Sequence, residues 1–203
     1  LCAVILSGQA DLVSSTLSLK NIGDRTSVFE QKAPYALYLP PGDWLEITAL
    51  TNLEVALCKA PAQGELQARL IKPSDCVSET RGQGTNERQI CNILFGNIPA
   101  ERLLITEVIT PAGHWSSYPP HKHDTDALPS ESALEETYYH KLNPKQGFAF
   151  QRVYTDDRRI DETNKTHVFL SHKHDELEFL DGTIALLRSL NINIYVDWLD
   201  QEM

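Results

Sequence analysis

The chain lacks the features that direct a protein to a membrane, to export or to nucleic acid. No apolar run approaches the roughly 20 residues that a helix needs to cross a bilayer. The opening Leu1–Leu6 is too short for a signal-peptide core and has no basic leader. With 18 Lys and Arg against 28 Asp and Glu, the net charge is −10, which argues against a nucleic-acid partner because phosphate binding needs a basic face. We therefore predict a cytoplasmic protein with no nucleic-acid partner and no membrane partner.

Cysteine is scarce and scattered, and no Cys-x-x-Cys pair occurs. The four residues of this type are Cys2, Cys58, Cys76 and Cys91. Without such a pair and without a secretory segment, buried thiols are favoured over disulfides or zinc ligands. A Met at the first position is also absent, and we expect the opening strand to have lost its beginning.

Most of the first 160 residues consist of short strand patterns separated by turns that contain Pro and Gly. Apolar side chains alternate in Leu45–Ala49 and in Leu53–Leu57, and Tyr35–Leu39 ends at a Pro-Pro-Gly-Asp turn signal. β-Branched and aromatic residues favour two more strands, at 103–110 and 147–154. This pattern predicts a mainly-β antiparallel sandwich or barrel, such as a jelly roll.

The spacing of apolar residues in the last 40 residues differs from that of the preceding segment. His167–Ser171 and Ile192–Val196 have the composition of buried strands. Apolar residues at helical spacing lie between them, at Leu177, Leu180, Ile184 and Leu187. A strand–helix–strand unit normally belongs to a parallel α/β sheet, so we predict a change of domain near residue 164.

A His-x-His pair provides the strongest chemical signal. In an extended chain alternate side chains share a face, so His121 and His123 can point together and hold a divalent ion. After a loop, Glu135 and Glu136 stand at the predicted start of the next strand, where one carboxylate could be a third ligand. His-x-His alone is also common in surface loops, and the Glu in an all-β context is what favours a metal site.

Several longer stretches carry a family likeness. They are Ser27–Glu30, Leu39–Asp43, Arg81–Asn86, Glu107–Pro111, Trp115–Asp124, Leu134–His140 and Gly147–Asp157. Over residues 1–163 they resemble the 5-deoxy-glucuronate isomerase family, the two-cupin enzymes of myo-inositol catabolism. The resemblance implies a bicupin that is truncated at its N-terminus and within its second cupin. Residues 1–95 would be the N-terminal cupin half and residues 96–163 the first part of the metal-binding C-terminal cupin.

By resemblance, the metal ligands are His121, His123 and Glu136, with a later His that this sequence does not contain. Glu136 is preferred over Glu135 because it directly precedes Thr-Tyr-Tyr, where the cupin motif places its carboxylate. His114 stands where the family has Asn, and we do not count it as a ligand. The implied cofactor is a divalent ion, which could be zinc, manganese or iron.

The resemblance implies an aldose–ketose isomerase that converts 5-deoxy-glucuronate to 5-dehydro-2-deoxy-gluconate, with a small sugar acid as its partner. The identity of the general base is left open. Tyr138 and His140 lie on the same side of the predicted strand as Glu136 and are candidates, although each could be a packed barrel residue. Arg152 and Tyr154 could hold the substrate carboxylate, but Arg152 could equally form a surface ion pair. A homo-oligomer is compatible with this interpretation.

The tail has a separate likeness. Thr166–Asp175 and Ile194–Asp200 resemble the start of a bacterial Toll/interleukin-receptor (TIR) domain, so residues 164–203 are predicted to be a TIR-like βαβ fragment, too short to fold as that domain. His172 or His174 could supply the fourth metal ligand. We interpret the repeated His-Lys-His-Asp as coincidence, because Ser-His fits the TIR-like strand end by itself.

Three hypotheses follow for the whole chain. It could be a truncated isomerase, weakly active or inactive, joined to foreign coding sequence. It could be a cupin that senses a ligand for a fused TIR-type signalling or NAD-cleaving domain. It could also be a cupin remnant that binds neither metal nor sugar. The missing start, the missing fourth ligand and the incomplete tail favour the first hypothesis.

Overall fold

The described part of the chain is mainly β. The computed structural model describes residues 1–116 and 119–154, together with the backbone of 167–170 and 193–196. Two compact units divide the chain, Leu1–Lys122 and His123–Met203. The strands of the first unit are β1 (Cys2–Ser14), β2 (Ser18–Arg25), β3 (Ala36–Tyr38), β4 (Leu45–Ala49), β5 (Glu54–Cys58), β6 (Arg69–Ile71), β7 (Val77–Arg81), β8 (Arg88–Leu94) and β9 (Ile105–Ile109). Single-turn 3₁₀ helices lie at Val28–Glu30, Pro73–Asp75 and Gly84–Asn86.

The long strand β1 organises the larger sheet of this unit. Its first half pairs with β3 and β5, and its second half pairs with β2 and β4, always antiparallel. The register with β2 shifts after Gly8, which has φ +89 and would carry a Cβ only 2.1 Å from the Asn52 carbonyl oxygen. A residue without a side chain is therefore required where the strand passes from one set of partners to the other.

Both faces of the first half of β1 are buried. Cys2, Val4 and Leu6 belong to one apolar cluster, and Ile5 belongs to another. The first cluster also contains Ile93 and Leu94 of β8, which is the central strand of the three-stranded sheet β7-β8-β9. The two sheets therefore share a core, and the predicted mainly-β, cupin-like class is confirmed.

The predicted strands of the first unit are largely confirmed. β4 spans Leu45–Ala49, β3 lies within the predicted 35–39, and β9 lies within 103–110. β5 begins one residue later than predicted, at Glu54. The alternating side chains of β4 and β9 fit strands with one face toward the core and one toward solvent, whereas β3 is buried on both faces.

The strand predictions in the second unit are wrong for two segments. Residues 135–140 form no strand in the structure, and within 147–154 only Tyr154 makes an isolated bridge. A strand needs a neighbouring backbone to satisfy its N–H and C=O groups. The backbone pairing described between residues 123 and 153 is local, namely the bridge between Ala127 and Glu131. Aromatic and β-branched composition predicted the tendency but could not supply the partner.

The tail contains the two strands predicted for it. β10 (His167–Leu170) and β11 (Asn193–Val196) pair in parallel, with His167 opposite Asn193. The predicted helix between them, and His172 and His174, lie outside the described residues. The TIR-like assignment and the domain limits at 95/96 and 163/164 stay predictions. No helix in the described part of the chain has the length and apolarity of a membrane span.

Candidate metal centre

A folded-back loop carries most of the candidate ligands. The backbone N–H groups of Asp124 and Thr125 both donate to one carboxylate oxygen of Glu131, at 2.8 Å each. The Leu134 N–H donates to the His123 carbonyl oxygen at 3.0 Å. These bonds close the loop on itself, so the chain after residue 134 returns to the neighbourhood of His123.

The three predicted ligands come together at this place. One ligand atom each from His121, His123 and Glu136 lies within 4.8 Å of the other two, with His123 partly buried and the others exposed. An ion bound at about 2.0–2.2 Å from each ligand atom keeps those atoms roughly 3–4 Å apart, so a small inward movement would let the three share one ion. Two imidazoles and a carboxylate suit zinc, and with open positions also iron. The donor set therefore fits the divalent metal that the sequence predicted.

The orientation of His123 favours one ring nitrogen as the ligand atom. Its Nδ1 lies 3.1 Å from the Ser132 carbonyl oxygen. A carbonyl only accepts, so Nδ1 carries the proton in this hydrogen bond and Nε2 is left with its lone pair. Such an outer partner fixes the tautomer and the ring orientation of a metal-binding histidine. The sequence held no signal for Ser132, because the acceptor is a backbone group.

Tyr138 lies near the third ligand. The Glu136 carboxylate is near enough to affect the Tyr138 hydroxyl group. Partial burial raises the pKa of Tyr138 above its ordinary value, and the nearby Glu136 carboxylate adds to the rise. On its other side the Tyr138 ring stacks on His140, with ring centroids 5.7 Å apart and an angle of 4° between the planes. The two candidate bases therefore lie next to each other, and Tyr138 lies near Glu136.

The candidate substrate-binding residues also form a pair. The Arg152 guanidinium carbon lies 5.2 Å from the centroid of the Tyr154 ring, within the range of a cation–π interaction. Arg152 is exposed and Tyr154 is partly buried. Stacking holds the guanidinium plane while its N–H groups can still donate at the edge.

His114 is not part of the candidate centre. Its Nδ1 lies 2.7 Å from the Glu87 carbonyl oxygen, and it is absent from the group of potential ligands found in the described residues. This histidine has a structural contact of its own.

Sequence reasoning missed a contact between two thiols. All four cysteines are free, as predicted, but only Cys2 is fully buried. The neighbouring Cys76 thiol lowers the pKa of Cys91, and Ser78 adds to the effect. Ser78 lies directly opposite Cys91 in the β7–β8 ladder. The register of β7 and β8 determines which side chains lie near Cys91, and no local sequence pattern predicts it.

Comparison with known proteins places the chain in a family. The sequence model of the KduI/IolB family matches residues 1–172. This chain belongs to the KduI/IolB family. The match extends past residue 163, where the predicted family likeness ends.

Named relatives agree with this assignment. The chain is 55% identical over 162 residues to a 5-deoxy-glucuronate isomerase from Geobacillus kaustophilus. The matched region covers 80% of this chain and 59% of the relative. It is 51% identical over 164 residues to the protein of that name from Bacillus subtilis strain 168, covering 80% and 60%. The crystal structure of an IolB-like protein from Salmonella typhimurium LT2 superposes with a TM-score of 0.76 at 48% identity, covering 79% of this chain and 61% of that one. The chain spans about three-fifths of the length of the curated relatives it matches.

Proposed function

We propose that this chain carries the metal-binding site of an aldose–ketose isomerase that converts 5-deoxy-glucuronate to 5-dehydro-2-deoxy-gluconate. The convergence of His121, His123 and Glu136 carries the proposal. The names of relatives at 51–55% identity support the substrate and the reaction. The chain spans about three-fifths of those relatives.

The proposed ligands suit the chemistry of the reaction. A bound zinc, manganese or iron ion would act as a Lewis acid that stabilises negative charge on the substrate oxygens. His123 is held for this role by Ser132, and His121 follows the Pro119-Pro120 pair, whose rings restrict the backbone that leads to it.

The reaction also needs a group that removes a proton from the carbon next to the carbonyl. Tyr138 and His140 are the candidates, because Tyr138 lies near Glu136 and His140 stacks on Tyr138. The imidazole of His140 is the side-chain type that most often serves as a general base, and its Nε2 lies 3.2 Å from the Gln151 side-chain oxygen. We propose that Arg152, steadied by Tyr154, binds the substrate carboxylate, because a guanidinium can donate two parallel hydrogen bonds to it.

We further propose that the partner is a small sugar acid rather than a nucleic acid or a membrane, in keeping with the net charge of −10. A cytoplasmic location and a homo-oligomeric state belong to the same proposal.

Metal binding by the purified chain tests the site without requiring turnover. Zinc, manganese and iron(II) affinities would be measured by competition with a chelator for the unaltered chain, for His121→Ala and for His114→Ala. We expect His121→Ala to lose at least the roughly 10- to 100-fold in affinity that removing an outer-shell partner already costs. His114→Ala is the matched control, because His114 contacts Glu87 instead. Equal affinities in all three proteins would contradict the ligand assignment.

Substrate binding tests the second half of the proposal. Titration of the metal-loaded chain with 5-deoxy-glucuronate should show binding that weakens in Arg152→Ala, since the substrate carboxylate then loses its cationic partner. The control ligand is 5-deoxy-glucose, which has no carboxylate and should not distinguish Arg152→Ala from the unaltered chain. If the variant binds both ligands as tightly as the unaltered chain, Arg152 has no part in the site.

A further inference from the structure

A single glutamate holds the loop that follows the His-x-His pair. One carboxylate oxygen of Glu131, Oε1, accepts hydrogen bonds from the backbone N–H groups of Asp124 and Thr125, at 2.8 Å each. The backbones of Glu131 and Ala127 also exchange hydrogen bonds, at 2.9 and 3.1 Å. Glu131 therefore ties the two arms of the loop together through its side chain and through its main chain.

The same loop supplies the partner of the His123 ring. The Ser132 carbonyl oxygen lies 3.1 Å from His123 Nδ1, and the Leu134 N–H donates to the His123 carbonyl oxygen at 3.0 Å. Ser132 directly follows Glu131, and Asp124 directly follows His123. The hydrogen bonds of the Glu131 carboxylate therefore join the chain at positions adjacent to both members of the contact between His123 and Ser132.

We propose that Glu131 is a positioning residue of the metal centre: by holding the backbone N–H groups that follow His123, it keeps the Ser132 carbonyl oxygen against Nδ1 and leaves Nε2 for the ion. The inference rests on the proposed function, since it takes His123 as a metal ligand. Glu131 itself is absent from the group of potential ligands found in the described residues, and it acts through His123.

The physical need for such a residue comes from the irregular backbone on both arms of the loop. Residues 123–126 and 132–136 form no strand, and ordering a free loop when the ion binds would cost conformational free energy. Hydrogen bonds to a charged carboxylate are stronger than neutral ones, so Glu131 can order the loop before the ion arrives. The Ser132 carbonyl oxygen then fixes the tautomer of His123, as outer partners of metal-binding histidines commonly do.

The first test needs no metal. In the metal-free chain with nitrogen-15 in its imidazole rings, at a pH well above the ordinary histidine pKa, His123 should carry its proton on Nδ1. Glu131→Ala removes the acceptor of the two backbone N–H groups, so Ser132 is no longer held and His123 should become a mixture of both tautomers. Asp126→Ala removes an exposed carboxylate from the same loop and should leave the tautomer of His123 unchanged.

The second test is zinc affinity, measured by competition with a chelator. We expect Glu131→Ala to weaken zinc binding about 10-fold or more, the loss typical of removing an outer partner of a ligand. Glu131→Gln keeps a side-chain oxygen that can accept both N–H groups, so it should retain the tautomer and lose less affinity than Glu131→Ala. Asp126→Ala removes the same charge as Glu131→Ala and should bind zinc nearly as well as the unaltered chain, which separates the hydrogen bonds from a general effect of charge.

The two tests together separate this inference from the proposed function. If the unaltered chain binds zinc but Glu131→Ala matches Asp126→Ala in tautomer and affinity, the positioning role is wrong and the metal site stands. If the unaltered chain binds no zinc, the proposed function fails, and the tautomer alone decides the role of Glu131. A change in Glu131→Ala that Glu131→Gln reverses then supports control of His123 by Glu131, and an unchanged tautomer overturns it.

Discussion

The sheets of residues 1–109 and the segment 119–154 differ in backbone pairing and in the burial of their apolar side chains. In the sheets, backbone groups pair along ladders and apolar side chains such as Leu12 are fully buried. In the later segment the described residues form turns, and large apolar side chains such as Phe148 are 78% exposed. The candidate ligands nevertheless lie in this segment. Burial and chemistry are therefore carried by different parts of the chain, as is common where irregular segments bear the reactive groups.

A buried ion pair within the first unit shows how firmly the sheets are connected. Arg25, at the end of β2, donates to both carboxylate oxygens of Glu107 in β9, at 2.9 and 2.8 Å. It also donates to backbone carbonyl oxygens, among them that of Leu6 at 2.9 Å. The Arg25 side chain is 1% exposed and that of Glu107 is 16% exposed. Such a pair is costly to break from one side, because the remaining charge and carbonyls lose their partners.

The largest effect is expected from Arg25→Met. Removing the guanidinium should lower the free energy of unfolding by about 3–5 kcal/mol, because Glu107 is left as an uncompensated charge. Urea denaturation would measure the loss. The control is Lys20→Met, which breaks the pair between Asp11 and the 66% exposed Lys20 side chain and should cost much less than Arg25→Met, since Lys20 stays solvated without its partner. Similar losses in the two variants would show that burial does not distinguish these ion pairs.

The next effect compares apolar truncation in the two regions. Leu12→Ala removes a fully buried side chain and should cost about 2–5 kcal/mol, through lost burial and the remaining cavity. Phe148→Ala removes an exposed side chain and should change stability by less than about 0.5 kcal/mol. The same urea experiment measures both. A large loss in Phe148→Ala would mean that its ring is buried in solution, and the contrast between the regions would fail.

The smallest effect concerns reactivity rather than stability. The pKa of Cys91 is lowered, first by the neighbouring Cys76 thiol, whereas burial raises the pKa of Cys58. Only the thiolate is alkylated, so Cys91 should react with iodoacetamide at lower pH than Cys58, although both are partly buried. Mass spectrometry of peptides after timed labelling at several pH values would measure this.

Removing the Cys76 thiol tests whether it causes the lowered pKa of Cys91. In Cys76→Ala the Cys91 thiolate loses its largest stabilising contact, so the pKa of Cys91 should rise and its labelling profile should move to higher pH. The profile of Cys58 should not move. If the Cys91 profile is the same with and without Cys76, the thiol contact is not what lowers the pKa.

Much of the fold and of the candidate site could be predicted from local patterns. The alternation in Leu45–Ala49 located β4, because a half-buried strand repeats every two residues. The His-x-His pair and the glutamate before Thr-Tyr-Tyr, read with the family likeness, identified three side chains that the structure brings within 4.8 Å. The prediction that they project from adjacent strands was wrong, since 135–140 forms no strand. The ligands converge through a loop closed by Glu131 instead.

The amino-acid sequence by itself determined which segments favour extended structure, where the chain turns and which residue types could bind a metal, because each of these depends on side chains close together along the chain. Only the tertiary structure decided the partners. It paired β1 with four strands, joined Arg25 to Glu107 across 82 positions, and set Cys76 beside Cys91. Contacts between distant segments depend on register and packing, which require the whole arrangement of neighbouring strands.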